Sequence, residues 1–345
     1  SHIIMKSKII LIFFLILFNC SDKEDFSAFL TEPEISTGLN LELSYLIGQI
    51  IDFSVIGDNG EDYTDISTFF IDQQEIIGTQ ISHNSLGSHQ VFAEYTLEGQ
   101  LYNTVSKNYS VVEPVNKLLL EDFTGTWCGY CPPVKHAINT AMEMYSQNLT
   151  VVATHQNDEY AISEEQELTS SLGPFGLPEA RVNRLIEWND PYDISELDAL
   201  ISSQNPVAIS IESFLDNDNL VSRIRFVSKE SLVDHKIAVY LTEDNLIADQ
   251  ANYLNYDEDS YFYDMGNPIL NYSHDDVLRY SFTNILGNSI SNTEPLSENV
   301  ITFNLDILQS NFNLDNINII AIIVDSDNMA INSQSAKFGI FQDFN

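Results

Sequence analysis

The sequence predicts a multidomain protein of mixed class, an α/β unit set between two all-β sandwiches. Three observations predict it. The chain has 345 residues, too many for one ordinary domain. Residues 114–205 alternate strand and helix patterns, while both flanks read as short alternating strands broken by turn residues. Hydrophobic residues make up 44% and aromatics 11%, enough to pack several cores and too many for disorder.

The N-terminus reads as an address. Lys6 and Lys8 follow Met5, and the apolar run Ile9 to Phe18 comes next. Ten such residues span roughly 15 Å as a helix, about half a bilayer core. That predicts a signal peptide over residues 1–20 rather than a membrane span. Its end, Leu17-Phe18-Asn19-Cys20, resembles a bacterial lipobox, although Asn19 replaces the usual small residue. The resemblance implies acylation of the Cys20 thiol and membrane attachment through that lipid; the alternative is a plain signal peptide. Ser21-Asp22-Lys23-Glu24-Asp25 resembles the acidic export signal of Bacteroidetes outer-membrane lipoproteins, and on a simpler reading belongs to a solvated tether over 21–38. Either way the folded part is expected outside the cytoplasm, exposed at the cell surface or on the periplasmic face, where a dithiol can be oxidised.

Residues 39–113 carry strand patterns at Ile50 to Ile56, Ile66 to Ile71, Gln90 to Leu97 and Val105 to Val112. With Thr68 to Asp72 and Gly87 to Tyr95, they resemble bacterial immunoglobulin-like modules. No chemistry shows there, and a spacer role is expected.

In residues 114–205, Lys117 to Phe123 reads as a buried strand. Pro132 to Gln147 places apolar residues at 134, 137, 138, 141, 142 and 145, one face of a helix. Leu149 to Thr154 is a second strand, Glu164 to Leu172 a helix, Ala180 to Leu185 a strand and Asp193 to Ser203 a helix. Residues 206–345 return to strands, beginning with a hairpin around Asp216-Asn217-Asp218-Asn219. Further strands are expected at Lys236 to Thr242, Val277 to Phe282, Val300 to Leu308 and Ile317 to Val324, forming a second sandwich.

Charge narrows the partners. Fourteen Lys and Arg face 51 Asp and Glu, a formal net charge of −37. Such a surface repels phosphate backbones and excludes nucleic acid as a partner. Three cysteines are too few for a disulfide framework, but Cys128 and Cys131 lie within one turn.

The chemistry sits in Glu121-Asp122-Phe123-Thr124-Gly125-Thr126-Trp127-Cys128-Gly129-Tyr130-Cys131-Pro132. A strand runs into a turn and a helix begins, so Cys128 is expected at a helix N-terminus, where free N–H groups favour a thiolate. Two intervening residues let Cys131 resolve a mixed disulfide. Trp-Cys-Gly-x-Cys after a buried strand resembles the thioredoxin active site. That resemblance implies a thioredoxin-like domain over 114–205, Asp122 as a buried acid assisting proton transfer, and Pro178 as a cis-proline. It also implies a substrate groove shaped by Trp127, Gly129, Tyr130 and Leu177. Tyr130 stands where reducing thioredoxins carry proline, which implies a potential more oxidising than about −270 mV. Glu179 after the proline departs from the family's pattern.

Alternatives stay open. Zinc would need two further ligands, with His136 and His155 the nearby candidates. The dithiol could capture a soft metal such as copper, or a permanent disulfide could persist in an inactive fold. No cofactor is expected beyond the Cys128–Cys131 pair itself. Asp216 to Asn219 and Asp325-Ser326-Asp327-Asn328 offer oxygen ligands for calcium, yet read as turns. His274 beside Asp275 reads as structural.

The mature chain resembles the twenty-eight-kilodalton outer-membrane-protein family of Bacteroidetes lipoproteins. The match rests on Thr124 to Pro132, on Pro178 to Arg184, and on Tyr272-Ser273-His274-Asp275-Asp276-Val277-Leu278-Arg279. The expected function is thiol–disulfide exchange with thiol or disulfide protein substrates at the outer membrane. The rival is a non-catalytic surface binding or assembly lipoprotein.

Overall fold

The computed structural model describes residues 37–172, 176–189, 192–308 and 310–344. The expected signal peptide, Cys20 and nearly all of the tether lie outside the described residues.

The first strands fold largely as the period-two pattern predicts. Ser44–Leu46, Lys107–Val112, Gly87–Leu97, Ser67–Ile71 and Gln74–Glu75 form one sheet in that order, with Gln100–Asn103 paired to Gly87–Leu97. Val91, Ala93 and Tyr95 alternate inward along the long strand. They meet Phe53, Phe69 and Tyr109 in one core. The expected strand Ile50 to Ile56 divides into Ile50–Asp52 and Ser54–Gly57, each in its own small sheet. This unit is no free-standing spacer. Arg223 Nη2 donates to Glu42 at 2.7 Å, Arg225 Nη2 donates to the Ser44 carbonyl at 2.7 Å, and Leu46 packs with Ala208, Val227 and Phe344.

The expected fold class requires correction. No separate thioredoxin-like α/β domain forms. The strands expected to make it belong to a nine-stranded sheet that runs on into the C-terminal half. Along its main path the order is Ile186–Trp188, Glu179–Val182, Leu118–Thr124, Leu149–His155, Val277–Ser281, Lys236–Glu243, Ile317–Val324 and Ala330–Lys337. The seam is short: Ala153 pairs in parallel with Val277, and its N–H donates to the Asp276 carbonyl at 2.8 Å. Leu149–His155 is buried along its whole length, so both of its edges need partners. The second partner lies more than a hundred residues further on. The protein is accordingly mostly β, with three α-helices among the described residues.

Alternation across the large sheet explains why a second sandwich seemed separate. Ile317, Ile319, Ala321 and Ile323 face the sheet of Val207–Asp216, Asn219–Ser228 and Glu298–Asp306. Ile320, Ile322 and Val324 face the other way and pack with Leu119, Phe123, Val152 and Leu168. A strand buried on both faces reads as a continuous apolar run.

Local elements match expectation more closely. The motif helix spans Pro132–Tyr145 and buries Val134, Ile138 and Ala141 against Leu118, Leu120 and Val151. Prolines open it, where missing N–H groups cost nothing. Leu118–Thr124 and Leu149–His155 pair in parallel around this helix. Asp216 and Asn219 close the expected hairpin, with Asn217 at φ 53°. The second Asp-rich run is also a turn, in which Asp325 Oδ1 accepts from the N–H groups of Asp327 and Met329. No described helix is long and apolar enough to cross a membrane.

Candidate functional site

Strand Leu118–Thr124 carries Asp122 into the interior and releases the chain into the turn that bears the cysteines. Cys128 N–H donates to the Gly125 carbonyl at 2.9 Å, and Cys131 N–H to the Cys128 carbonyl at 3.2 Å. Cys131 is the residue at the helix cap, one turn later than the position expected for Cys128. The unsatisfied N–H groups of the first helical turn therefore bear most directly on Cys131. The two cysteines are joined by a disulfide, with Cα atoms 5.4 Å apart.

A strap from the C-terminal half covers the pair. Gln250 Nε2 donates to the Cys128 carbonyl at 2.9 Å, Ala251 N–H to the Thr126 carbonyl at 2.8 Å, and Tyr253 N–H to the Gly129 carbonyl at 2.9 Å. The Tyr253 ring lies so close over Gly129 that a Cβ there would sit 2.3 Å from it, so only glycine fits. As a result Cys128 is 4% exposed and Cys131 2%. Their neighbours are open: Trp127 is 49% exposed and Tyr130 54%. Trp127 Nε1 donates to the Gln156 carbonyl at 2.7 Å, and Tyr130 meets Tyr253 edge-on at 5.2 Å.

The Leu177–Pro178 peptide is cis. Pro178 joins Tyr130, Pro133, Tyr192 and Leu254 around a groove of about 420 Å³ beside the motif. Of the expected groove residues, Tyr130 and Pro178 line it. Leu177 instead packs against the cluster of Leu119 and Phe123, Trp127 flanks the motif, and Gly129 lies under Tyr253.

Beneath the disulfide, a smaller cavity touches Cys131, Asp122, Thr124, Lys135, His155, Gln250, Tyr272, His274 and Asp275. Burial pushes the Asp122 carboxyl up to about 7; Lys135 pulls it down and Asp276 pushes it further up. Asp276 is raised to about 6 by burial, again moderated by Lys135. Lys135 Nζ reaches Asp276 at 3.2 Å and Asp275 at 3.4 Å. Burial would lower the Lys135 pKa, but these carboxylates outweigh it and raise it. His274 is pushed down to about 4 by burial and by His155. His155 Nδ1 lies 2.7 Å from Asp158 Oδ2, which also accepts from the Thr126 N–H and so anchors the turn before the cysteines.

Of the metal candidates, His155 is engaged by Asp158, while His136 stacks on Tyr261 with centroids 4.2 Å apart. Among the described residues no group of three or more His, Cys, Asp and Glu is arranged to hold a metal ion. Sequence reasoning missed Lys135, Gln250, Tyr253 and Asp276 and set His274 aside. One signal was present: the segment Tyr272 to Arg279 carries two of the cavity's acidic and histidine groups, His274 and Asp275, and the Asp276 that pairs with Lys135.

Fold and site together define a mostly-β protein with a strapped Cys-x-x-Cys disulfide above a buried acid–histidine cluster. The profile of the outer membrane protein Omp28 family matches residues 165–342, more than half of the chain, and the chain belongs to that family. It is therefore an outer membrane protein by family. The match takes in Pro178, the strap and the His274 segment, and begins after the cysteines. No curated protein matches. Among solved structures, a β-glucosidase from Kluyveromyces marxianus in complex with glucose is 7% identical, covering 85% of this chain and 45% of that one at a TM-score of 0.19. A protein from Corynebacterium diphtheriae, described as membrane anchored, is 8% identical, covering 90% and 62% at 0.18. The chain spans less than two thirds of either, and likenesses this slight carry no argument.

Proposed function

We propose that this outer membrane protein, tethered by lipid on Cys20, exchanges thiols and disulfides through Cys128 and Cys131. The observation that carries the reading is the disulfide itself, its second cysteine at the N-terminal cap of a helix, with a buried carboxyl of pKa about 7 and an aromatic groove beside it. A substrate thiolate attacks Cys128 Sγ, the S–S bond breaks, and Cys131 leaves as a thiolate that takes up a proton. The substrate's second thiol, losing its proton, attacks its own sulfur in the mixed disulfide, and Cys128 departs. Two electrons pass from the substrate dithiol to the protein disulfide; run backwards, the same steps reduce a substrate disulfide.

The test is reduction of insulin and refolding of scrambled ribonuclease, with Cys128→Ser as control. Faster turnover by the native protein is expected, and equal rates would overturn the reading. One observation favours a second reading, a non-catalytic binding or assembly protein: the strap leaves little of either sulfur exposed. That reading expects a disulfide resistant to mild reductant and a Cys128 slow to alkylate once reduced. Fast alkylation well below pH 8 counts against it.

A further inference from the structure

The strap over the cysteines is one side of a built loop. Strands Leu246–Gln250 and Ile269–His274 pair as an antiparallel stem, and residues 251–268 form the loop at its end. Asn252, wholly buried, holds that loop in shape: its Nδ2 donates to the Phe262 carbonyl at 2.9 Å and to the Gly266 carbonyl at 3.0 Å. The Asn255 side chain accepts from the Gly266 N–H at 2.6 Å, and its carbonyl accepts from the Asp264 N–H at 3.0 Å. Phe262 is buried and meets His136 of the motif helix edge-on. Four rings stay outside this frame: Tyr253, Tyr256, Tyr261 and Tyr263 are all exposed, Tyr256 to 81%.

Two of these rings tie the loop to the motif. Tyr253 meets Tyr130 at 5.2 Å, and Tyr261 stacks on His136 at 4.2 Å. With Trp127 and Tyr130 also exposed, aromatic surface extends from the disulfide turn onto the loop. Such a concentration of exposed rings marks an interaction site, and the charges among them name the partner. Asp257, Glu258, Asp259 and Asp264 are exposed between the tyrosines. The chain has no Lys or Arg between Lys236 and Arg279, and Lys135 of the motif helix is engaged by Asp275 and Asp276. Ring faces and carboxylates both attract cations.

We propose that this loop is the recognition surface for polypeptides that carry Lys or Arg beside their cysteines, presenting them to the Cys128–Cys131 disulfide. The inference rests on the redox reading and names its substrate class. The tyrosine rings receive the cationic side chains and cover their alkyl stems, while the four carboxylates hold the charges. The groove at Tyr130, Pro178 and Leu254 takes the residues next to the substrate sulfur. A loop fixed in shape before binding loses little entropy when the partner arrives. The net charge of −37 draws cationic chains toward every face; rings and acids together confine them to this one.

The experiment separates binding from exchange. Labelled synthetic peptides with serine in place of cysteine, flanked by Lys and Arg or by Glu, are titrated against the oxidised protein by fluorescence anisotropy. Their dithiol counterparts are then oxidised by it, read as loss of peptide thiol. Wild type is compared with Y256A/Y263A, with D257N/E258Q/D259N, and with D65N/E75Q/E98Q, which removes the same charge from exposed positions of the N-terminal sheet. Each variant is checked for fold by circular dichroism. The cationic peptide should bind and the Glu peptide should not. Y256A/Y263A should weaken the cationic peptide about 5- to 30-fold, D257N/E258Q/D259N roughly 5-fold, and D65N/E75Q/E98Q less than about 2-fold. Equal binding of the two peptides, Y256A/Y263A matching wild type, or an equal loss in D65N/E75Q/E98Q and D257N/E258Q/D259N would overturn the proposal. So would a neutral chito-oligosaccharide bound at the loop where the cationic peptide is not, which would assign the rings to a glycan. A cationic peptide that binds at the loop while its dithiol counterpart stays reduced would sink the redox reading and leave the recognition surface standing.

Discussion

Glu121 and Asp122 stand side by side on one strand, both wholly inside the protein, and burial pushes both carboxyls up to about 7. Their side chains leave opposite faces of the sheet, and there the likeness ends. Glu121 faces Arg184, whose Nε lies 3.7 Å away. Arg184 Nη2 in turn donates to the Tyr240 hydroxyl at 2.6 Å, and its Nη1 to the Leu286 carbonyl at 3.2 Å. That side is packed shut by Phe123, Leu278 and Ile320. Asp122 faces Lys135, His274 and a water-sized space next to Cys131. A raised carboxyl thus does not by itself mark a chemical site. The room beside it and the reactive atom within reach make the difference.

The largest expected effect breaks the packed side. Arg184→Leu leaves Glu121 buried without its cation and should cost about 3–5 kcal/mol in urea unfolding at pH 8. Unchanged stability would mean that Glu121 carries no charge for Arg184 to meet. Slightly less costly is Ile320→Ala, at roughly 2–5 kcal/mol. Ile320 lies in the cluster shared by the middle strands and the C-terminal strands, so calorimetry should show one transition shifted as a whole. Two transitions, only one of them moved, would break the picture of a continuous sheet.

Asp122→Asn sharpens the contrast from the other side. The folded carboxyl titrates near 7 against an ordinary value of 3.8, so folding favours its protonated form. Its stabilising effect is whole below about pH 4 and is lost as pH rises through about 7. The neutral amide does not suffer that loss. D122N should therefore gain about 4 kcal/mol at most over wild type at pH 8, the equivalent of the shift from 3.8 to about 7, and nothing at pH 4, read from urea midpoints. A gain at pH 4 as large as at pH 8 would contradict the assigned ionisation. The smallest effect on stability, about 1 kcal/mol, is expected for Tyr253→Ala. The same change should speed alkylation of reduced Cys128 several-fold by opening the strap; an unaltered rate would show that the strap does not limit access.

Period alone made the local elements legible. The apolar spacing from Val134 to Tyr145 gives the helix its buried face, and alternation at Val91, Ala93 and Tyr95 gives the long strand its core side. The cysteine motif, the adjacent acid and the proline before the Glu179–Val182 strand are likewise readable, because their neighbours in space are close in the chain. His274 was readable only as an isolated ring, since nothing near it in sequence reveals Asp122 or Cys131.

What the sequence determined by itself is every feature governed by contacts a few residues apart: helix face, hairpin turn, motif strand, and the pairing of Cys128 with Cys131. Tertiary structure alone decided that Ala153 would take Val277 as its parallel neighbour, that Gln250 to Tyr253 would close over the cysteines, and that His274 would share a cavity with Asp122. The reason is physical. A fully buried strand offers two identical rows of backbone hydrogen-bonding groups, and its own sequence cannot say which distant strand will satisfy the second row.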